Sequence, residues 1–306
     1  MRLERTLVAI ALLLAAHFAR AEIVVRDDAG RTVRLAAPAR RIVSLAPHIT
    51  ENLYAAGAGA FIVGAVDYSD YPAAAKKLPR VGGYDRFDPE AILALKPDLV
   101  IAWDSGNQAG QLAKLKALGL PLFVSRPLKV DDIATDIARF GELAGTSAVA
   151  LPEARAVRAR IAELRARYAQ RPPVRTFYQI WNRPLITVNG EQLISDVMRL
   201  CGADNVFAGL PQLAPTVSIE AVLAADPEAI VASGADATRP RWLDGWKRWK
   251  DLTATARGNL FFVPPDLINR PTPRVLYGAQ LLCDEMETAR SRRPGAKGSV
   301  HRRRSK

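Results

Sequence analysis

The chain has 306 residues, of which 49% are hydrophobic and 24% charged, as in an ordinary globular protein long enough for two domains. Its formal net charge is +12, but the first twenty-one residues contribute +2 and the last seventeen +8. The body between them carries only about +2 by formal charge counting. This nearly neutral body argues against a basic groove for nucleic acid.

The N-terminus has the features of an export signal. Arg2 and Arg5 precede an apolar run over residues 7–16, which is too short to span a bilayer as an anchor. The sequence Ala19-Arg20-Ala21 has the small-x-small pattern of a cleavage site. We predict a signal peptide over residues 1–21, cleaved after Ala21, with a retained membrane anchor as the alternative.

Strands and helices are predicted to alternate along the mature chain, which is typical of α/β proteins with parallel strands. A hairpin over 22–35 comes first. Strands follow at 41–45, 61–66, 99–102, 122–125, 174–180, 229–231 and 260–263, and helices at 107–118, 131–143, 152–170 and 274–288.

The helix over 152–170, rich in Ala, Arg, Glu and Leu, separates two such series. We therefore predict two Rossmann-like lobes with parallel-rich sheets, joined by one long helix. The predicted boundaries are 22–146 for the N-terminal lobe, 147–171 for the linking helix and 172–290 for the C-terminal lobe. Residues 291–306 are predicted to form a basic, disordered tail.

A repeat supports the two-lobe prediction. Residues 90–102 recur at 220–232, an offset of 130, with six of thirteen positions identical. Each copy indicates a short helix, a proline turn and a buried strand. Two similar lobes facing each other form a cleft, which is where small ligands commonly bind.

Cysteine and histidine are scarce. Cys201 and Cys283 are the only cysteines, and in an exported protein we predict that they pair, with two separate buried thiols or a metal pair as alternatives. Outside the signal and the tail, His48 is the only histidine, so a metal site built on several histidines is excluded. No GxSxG, Walker or GxGxxG motif is present, which argues against an enzyme.

Aromatic residues follow several predicted strands. In open α/β sheets ligands bind at the carboxyl ends of strands, where flat rings suit a large, partly planar ligand. Three further tryptophans at helical spacing, Trp242, Trp246 and Trp249, are predicted to pack in the core instead. The residues at strand ends are Tyr68, Tyr71, Tyr84, Phe87, Trp103 and Trp181.

Four segments resemble the periplasmic cobalamin (vitamin B12)-binding proteins of bacterial ABC importers, a branch of the helical-backbone, or class III, substrate-binding family. They are Ser44–Glu51 (SLAPHITE), Asp67–Pro72 (DYSDYP), Asp88–Trp103 (DPEAILALKPDLVIAW), and Pro273-Arg274 followed by Cys283. The resemblance runs in order from about residue 40 to 288. It implies a monomeric periplasmic protein, not an enzyme and without a catalytic cofactor, that captures cobalamin or a related corrinoid in the interlobe cleft and delivers it to a permease dimer.

The resemblance also implies roles for individual residues. It places Tyr68, Tyr84 and Trp103 at the corrin site of the N-terminal lobe and Trp181 at the matching edge of the C-terminal lobe. Asp266 and Arg270 match polar residues of the cleft, and the family pairs cysteines at positions 201 and 283. Glu90 and Glu220 match carboxylates that dock onto permease arginines.

The repeat supports that docking role independently, because one carboxylate per lobe suits a partner with twofold symmetry. The alternative for each glutamate is an ordinary first-turn acid favoured by the helix dipole.

The chain departs from the family pattern at three positions. Ala214 and Leu267 stand where further aromatic residues are expected. His48 replaces a small or polar residue, and is either a polar loop residue or, as a sharper hypothesis, an axial ligand to cobalt or haem iron. Two other functions remain open: the same scaffold carrying haem or an iron-siderophore, and an exported hydrolase.

Overall fold

The computed structural model describes residues 22–234 and 237–295. The predicted signal peptide and residues 296–306 lie outside this part of the chain. The described residues form two compact units: an N-terminal unit of 22–126 and 137–151, and a C-terminal unit of 127–136 and 152–295. Within these ranges no helix is long and apolar enough to cross a membrane.

The N-terminal unit is built on a parallel sheet of four strands in the order β4-β3-β5-β6. An antiparallel hairpin, β1 and β2, precedes the sheet, as predicted. The elements are β1 (Ile23–Arg26), β2 (Thr32–Leu35), β3 (Ile42–Ser44), α1 (Pro47–Ala55), β4 (Ile62–Ala65), α2 (Pro89–Ala94), β5 (Leu99–Trp103), α3 (Ala109–Ala117) and β6 (Leu122–Ser125), with 3-10 turns at Gly59–Phe61 and Ala73–Lys77.

Two long helices follow in the chain, and each has residues in both units. They are α4 (Val130–Ala144) and α5 (Ser147–Tyr168). The second of these lies within the segment predicted as the linking helix, and Pro152 stands near its start, where a helix tolerates proline. The lobe boundaries and the cleft stay predictions.

The C-terminal unit repeats the architecture of the first. Its parallel sheet has the order β10-β9-β7-β8, so that in both sheets the first strand lies between the second and the third. This confirms two parallel α/β lobes. The elements are β7 (Val174–Gln179), α6 (Leu193–Leu200), β8 (Ala203–Asn205), α7 (Ile219–Ala225), β9 (Ala229–Ala232), α8 (Thr253–Ala256), β10 (Leu260–Phe262) and α9 (Val275–Ser291), with 3-10 turns at Arg241–Arg248 and Pro265–Leu267.

The sequence repeat has the same structure in both units, α2 to β5 and α7 to β9. Each helix is followed, within two residues, by a residue with positive φ immediately before proline, Lys96 at 47° and Asp226 at 38°. An arginine from the first strand region of each sheet donates to the carbonyl oxygens at that helix end, Arg41 in one unit and Arg175 in the other. These donors satisfy carbonyls that a helix terminus leaves without partners.

The core of each unit lies against its sheet. Four of the five residues of β5 are buried, and Trp103 at its carboxyl end is half-buried. All residues of β9 are buried. In the C-terminal unit Phe177 packs edge-on against Phe207 and Trp246. Strands that are apolar along their whole length are expected where helices cover both faces of a parallel sheet.

The tryptophan prediction is confirmed for Trp246 and wrong for Trp249. Trp246 is buried and its Nε1 donates to Gln179 Oε1 at 2.8 Å. The segment forms a 3-10 turn over Arg241–Arg248 instead of an α-helix, and Trp249 lies just beyond the end of that turn as its C-cap residue. As a result Trp249 is exposed and lines a surface cavity of about 380 Å³.

The two cysteines form a disulfide, as predicted, with a sulfur–sulfur distance of 2.07 Å. Cys201 caps the end of α6 and Cys283 lies in the buried face of α9. The bond closes a loop of 82 residues and connects these two helices.

Removing the disulfide by replacing both cysteines with alanine is expected to lower the free energy of unfolding by about 4 kcal/mol, because closing so long a loop restricts the unfolded chain. Urea unfolding of the oxidised wild type and of the double variant measures the difference. Reductant should destabilise the wild type and leave the variant unchanged. A difference below about 1 kcal/mol would contradict the chain-entropy argument.

Two arginines near the predicted start of the tail contact the C-terminal unit. Arg290 is buried and donates to the carbonyl oxygens of Pro172, Cys201 and Gly202. Arg293 pairs with the Glu228 carboxylate at 2.8 Å. The disordered tail over residues 291–306 stays a prediction, and the structure describes only its first five residues.

The ion pairs of Glu228 give an expected pH dependence. Partial burial raises the pKa of Glu228, but its pairs with Arg293 and Arg257 lower it more, and the pKa lies below its ordinary value. A carboxyl with a lowered pKa in the folded state contributes stability above its unfolded pKa of about 4.3 and loses it as the pH falls. Glu228→Gln is expected to cost about 1 kcal/mol at pH 7 and less at pH 3, measured by urea midpoints. An equal loss at both pH values would contradict this.

Candidate functional site

The strand order of the two sheets determines where ligands are expected. In each sheet the first strand in the chain lies between the second and the third. The chain therefore leaves the first strand toward one edge of the sheet and leaves the third strand toward the other edge. A crevice then opens at the carboxyl ends of those two strands. In the N-terminal unit these are the ends of β3 and β5, and in the C-terminal unit the ends of β7 and β9.

Aromatic rings lie at this point of the N-terminal sheet. Trp103 is the last residue of β5, and its ring centroid is 5.7 Å from that of Tyr84, with the planes tilted by 51°. Tyr84 is 39% exposed. The structure thus brings together two of the three predicted ring residues of this lobe, with Tyr84 exposed and Trp103 half-buried.

Tyr68 follows the end of β4 in a separate loop. It is 72% exposed and has a φ of 62°, the left-handed region that costs a non-glycine residue about 1–2 kcal/mol. Arg80 holds this loop by donating to the carbonyl oxygens of Val66 at 3.1 Å and Ser69 at 2.9 Å. The backbone N–H of Asp67 donates to Gly82, which connects this loop to the one that carries Tyr84.

One of the six aromatic residues proposed for the strand ends does not face outward. Phe87 is buried in the hydrophobic core of the N-terminal unit, packed with residues such as Val81 and Leu115. The prediction that Phe87 faces the ligand is therefore wrong, because its ring packs in the core while Tyr84, in the same loop, is exposed.

His48 packs against Trp103. It is the second residue of α1 and is only 3% exposed. Its ring meets Trp103 edge to face, with centroids 5.2 Å apart and planes at 84°. This burial favours a packing role over the axial-ligand hypothesis, which stays a prediction. In the described residues no group of three or more His, Cys, Asp or Glu side chains is placed to hold a metal ion.

The C-terminal unit carries its predicted residues after β7 and β10. Trp181 is 43% exposed, and its Nε1 donates to the Arg183 carbonyl at 3.1 Å. Asp266 lies in the 3-10 turn after β10 and pairs with Arg270 at 3.2 Å, which places a half-exposed carboxylate beside a guanidinium. Gly278 of α9 packs directly against this turn, since a Cβ there would lie 2.1 Å from the Leu267 carbonyl oxygen.

The two glutamates occupy matching positions in the repeated helices. Asp88 caps α2 and Ser218 caps α7, and each glutamate is the second residue after its cap. Both side chains are exposed. A hydrogen bond from its own backbone N–H, and a second from the Ser218 hydroxyl, lower the pKa of Glu220. Each unit therefore presents one carboxylate at the start of a short helix.

Sequence reasoning missed three residues that hold the loops of Tyr68, Tyr84 and Trp103 in place. Arg80 holds the Tyr68 loop, and Gly106 and Asn107 lie three and four residues after Trp103. A Gly-Asn pair after a strand is a turn signal, but the signal does not reveal which distant segments the asparagine contacts.

Comparison with known proteins agrees with the fold. The chain is 38% identical over 262 residues to the vitamin B12-binding protein of Vibrio vulnificus strain CMCP6, covering 84% of this chain and 94% of that protein. It is 40% identical over 248 residues to the vitamin B12-binding protein of Yersinia pestis strain Pestoides F, covering 81% and 86%.

Solved structures show the same likeness. The crystal structure of the periplasmic vitamin B12-binding protein BtuF of Vibrio cholerae superimposes with a TM-score of 0.77 at 38% identity, covering 82% of this chain and 98% of that one. The apo periplasmic heme-binding protein RhuT of Roseiflexus sp. RS-1 gives a TM-score of 0.68 at 25% identity, covering 82% and 99%. Residues 42–267 match the family described as periplasmic binding protein. The chain belongs to the periplasmic binding protein family.

Proposed function

We propose that this protein captures cobalamin or a related corrinoid in the periplasm and delivers it to the permease dimer of an ABC importer. The observation that carries the proposal is the Tyr84–Trp103 ring pair at the point of the N-terminal sheet where ligands bind. It is supported by 38% identity, over most of the chain, to proteins named for binding vitamin B12.

The chemistry of the exposed side chains suits this ligand. A corrin ring is broad and largely apolar on its faces, and its rim carries amide groups. Tyr84, Trp103 and Trp181 offer flat apolar area with polar edges. The Asp266–Arg270 pair offers an acceptor and a donor side by side, which matches both halves of an amide. Tyr68, exposed on its strained loop, adds a further ring.

Binding and release need no covalent step. Burial of ring faces supplies roughly 25 cal/mol per Å² of apolar area, and a few polar groups set the orientation. The relatives are binding proteins, and the motifs of a hydrolase are missing from the sequence. We therefore propose a carrier that leaves its cargo chemically unaltered.

The location follows from the N-terminal sequence. We propose that residues 1–21 direct export and that cleavage after Ala21 releases a monomeric protein into the periplasm. The disulfide is consistent with an oxidising compartment. The intact mass of protein purified from the periplasm tests the cleavage site, and the elution volume on size exclusion tests the monomer.

Haem is the second candidate cargo, because the fold is shared with a heme-binding protein at 25% identity. The burial of His48 favours cobalamin over haem as the cargo. His48 is the only histidine in the described residues, and its ring is not exposed to coordinate haem iron.

Isothermal titration with cyanocobalamin, dicyanocobinamide and haemin separates these cargoes. We expect one cyanocobalamin per chain with a Kd below about 1 µM, weaker binding of haemin, and no turnover of the recovered ligand. Binding of haemin alone would contradict the corrinoid assignment, and recovery of a cleaved ligand would favour an exported hydrolase.

A further inference from the structure

Asn107 is a buried asparagine whose side chain makes three short hydrogen bonds to backbone groups. It is 6% exposed. Its Oδ1 accepts from the backbone N–H of Trp103 at 2.6 Å, and its Nδ2 donates to the carbonyl oxygens of Leu45 at 2.9 Å and Tyr84 at 2.6 Å. Both donor hydrogens of the amide and its oxygen are therefore used, and a buried amide satisfied in this way fixes its partners firmly.

The three partners belong to the ligand end of the N-terminal sheet. Leu45 follows β3, Trp103 ends β5, and the crevice is expected between these two strand ends. Tyr84 comes from the long connection between β4 and α2. The Asn107 side chain thus fixes the segments that carry Tyr84 and Trp103 relative to the end of β3.

Gly106 fixes the direction of the Trp103 indole. A Cβ built on Gly106 would lie 1.9 Å from a ring carbon of Trp103, so the indole rests directly on the glycine backbone. A larger residue at 106 fits only if the ring or the backbone moves. The indole also packs against the His48 ring, with centroids 5.2 Å apart, and these two contacts restrict its movement.

We propose that Gly106 and Asn107 are positioning residues for ligand binding, which hold the Tyr84 and Trp103 rings in the orientation that receives the corrin face. The inference rests on the proposed function. Neither residue needs to contact the ligand. Their effect is preorganisation: the rings are ordered before binding, so that binding does not have to order them.

The first test compares Asn107→Ala with Asn259→Ala. Asn259 is also fully buried and donates through Nδ2 to a backbone carbonyl, that of Glu228 at 2.8 Å, but it precedes β10 at the amino end of the C-terminal sheet. We expect both variants to lower the melting temperature. Asn107→Ala should weaken cyanocobalamin binding by about 10-fold or more and Asn259→Ala by less than about 2-fold.

The second test asks whether Asn107 acts through the rings. In a Tyr84→Ala, Trp103→Ala background, the further change Asn107→Ala should weaken binding by less than about 3-fold, because the groups it positions are already gone. Gly106→Ala keeps the hydrogen bonds of Asn107 and displaces only the indole, and it should also cost about 10-fold.

A third measurement does not depend on the ligand. Hydrogen exchange at residues 82–87 and 103–107 should accelerate in Asn107→Ala and not in Asn259→Ala. If the wild type binds no cyanocobalamin, the proposed function fails, and the exchange data alone decide whether Asn107 holds the two loops.

The inference is overturned if Asn107→Ala and Gly106→Ala both bind within about 2-fold of the wild type, or if the Asn107 effect persists undiminished without the rings. If Asn107→Ala does not fold, binding by Gly106→Ala decides.

Discussion

Replacing Trp103 with alanine is expected to weaken cyanocobalamin binding by about 100-fold, an effect of the size that truncation of a central aromatic anchor produces at an interface. Trp103 is half-buried at the end of β5, packed between His48 and Tyr84. A ring already held on two sides loses little entropy when a ligand covers its remaining face. Replacing Trp103 with alanine therefore removes apolar contact with the ligand that needs little loss of side-chain entropy to form. Titration calorimetry measures this loss as an increase in Kd.

Trp249→Ala is the matched control for this experiment. Trp249 is also a partly exposed tryptophan, but it lies in the C-terminal unit after the 3-10 turn Arg241–Arg248 and lines a surface cavity there. We expect its variant to bind within about 2-fold of the wild type, as for a residue outside the ligand-contacting set. Trp103→Phe should retain most of the affinity because it keeps a flat ring. Equal losses at positions 103 and 249 would contradict a specific role for Trp103.

Much of the fold could be predicted because its signals are local. The repeat predicted helix, turn and strand in both lobes, and both copies have that structure down to the positive φ at Lys96 and Asp226. Short β8 escaped prediction because its three residues, Ala203–Asn205, include a polar centre and form no apolar run. The order of strands depends on pairing between distant segments, and no local pattern specifies it.

The aromatic site was predictable in part for the same reason. Trp103 stands at the end of an apolar run, so its place at a strand end is a local property of the sequence. Asn107 is different, because it reaches Tyr84, 23 residues away, and Leu45, 62 residues away. Phe87 and Tyr84 are three residues apart in one loop, and only the packing of that loop decides that one ring enters the core and the other stays accessible.

The double variant Glu90→Arg, Glu220→Arg is expected to bind cyanocobalamin as the wild type does and to lose delivery to the permease. Both carboxylates are exposed at matching helix starts, one in each unit, which suits a partner with two equivalent basic sites. Reversing both charges replaces attraction by repulsion at each site. Association with the permease dimer of its importer, reconstituted in nanodiscs, should weaken by roughly 100-fold or more, and each single variant should be intermediate.

A control with the same change in net charge separates docking from general electrostatics. Glu163 and Glu191 are also exposed acids, but neither starts a repeated helix, and reversing both adds the same positive charge. We expect that control to associate with the permease nearly as the wild type does. Wild-type association should also weaken as ionic strength rises, because exposed charges are screened beyond about 10 Å at 0.1 M salt. Equal losses in the two double variants would instead mean that Glu90 and Glu220 are ordinary first-turn acids, kept by the favourable interaction of a carboxylate with a helix N-terminus.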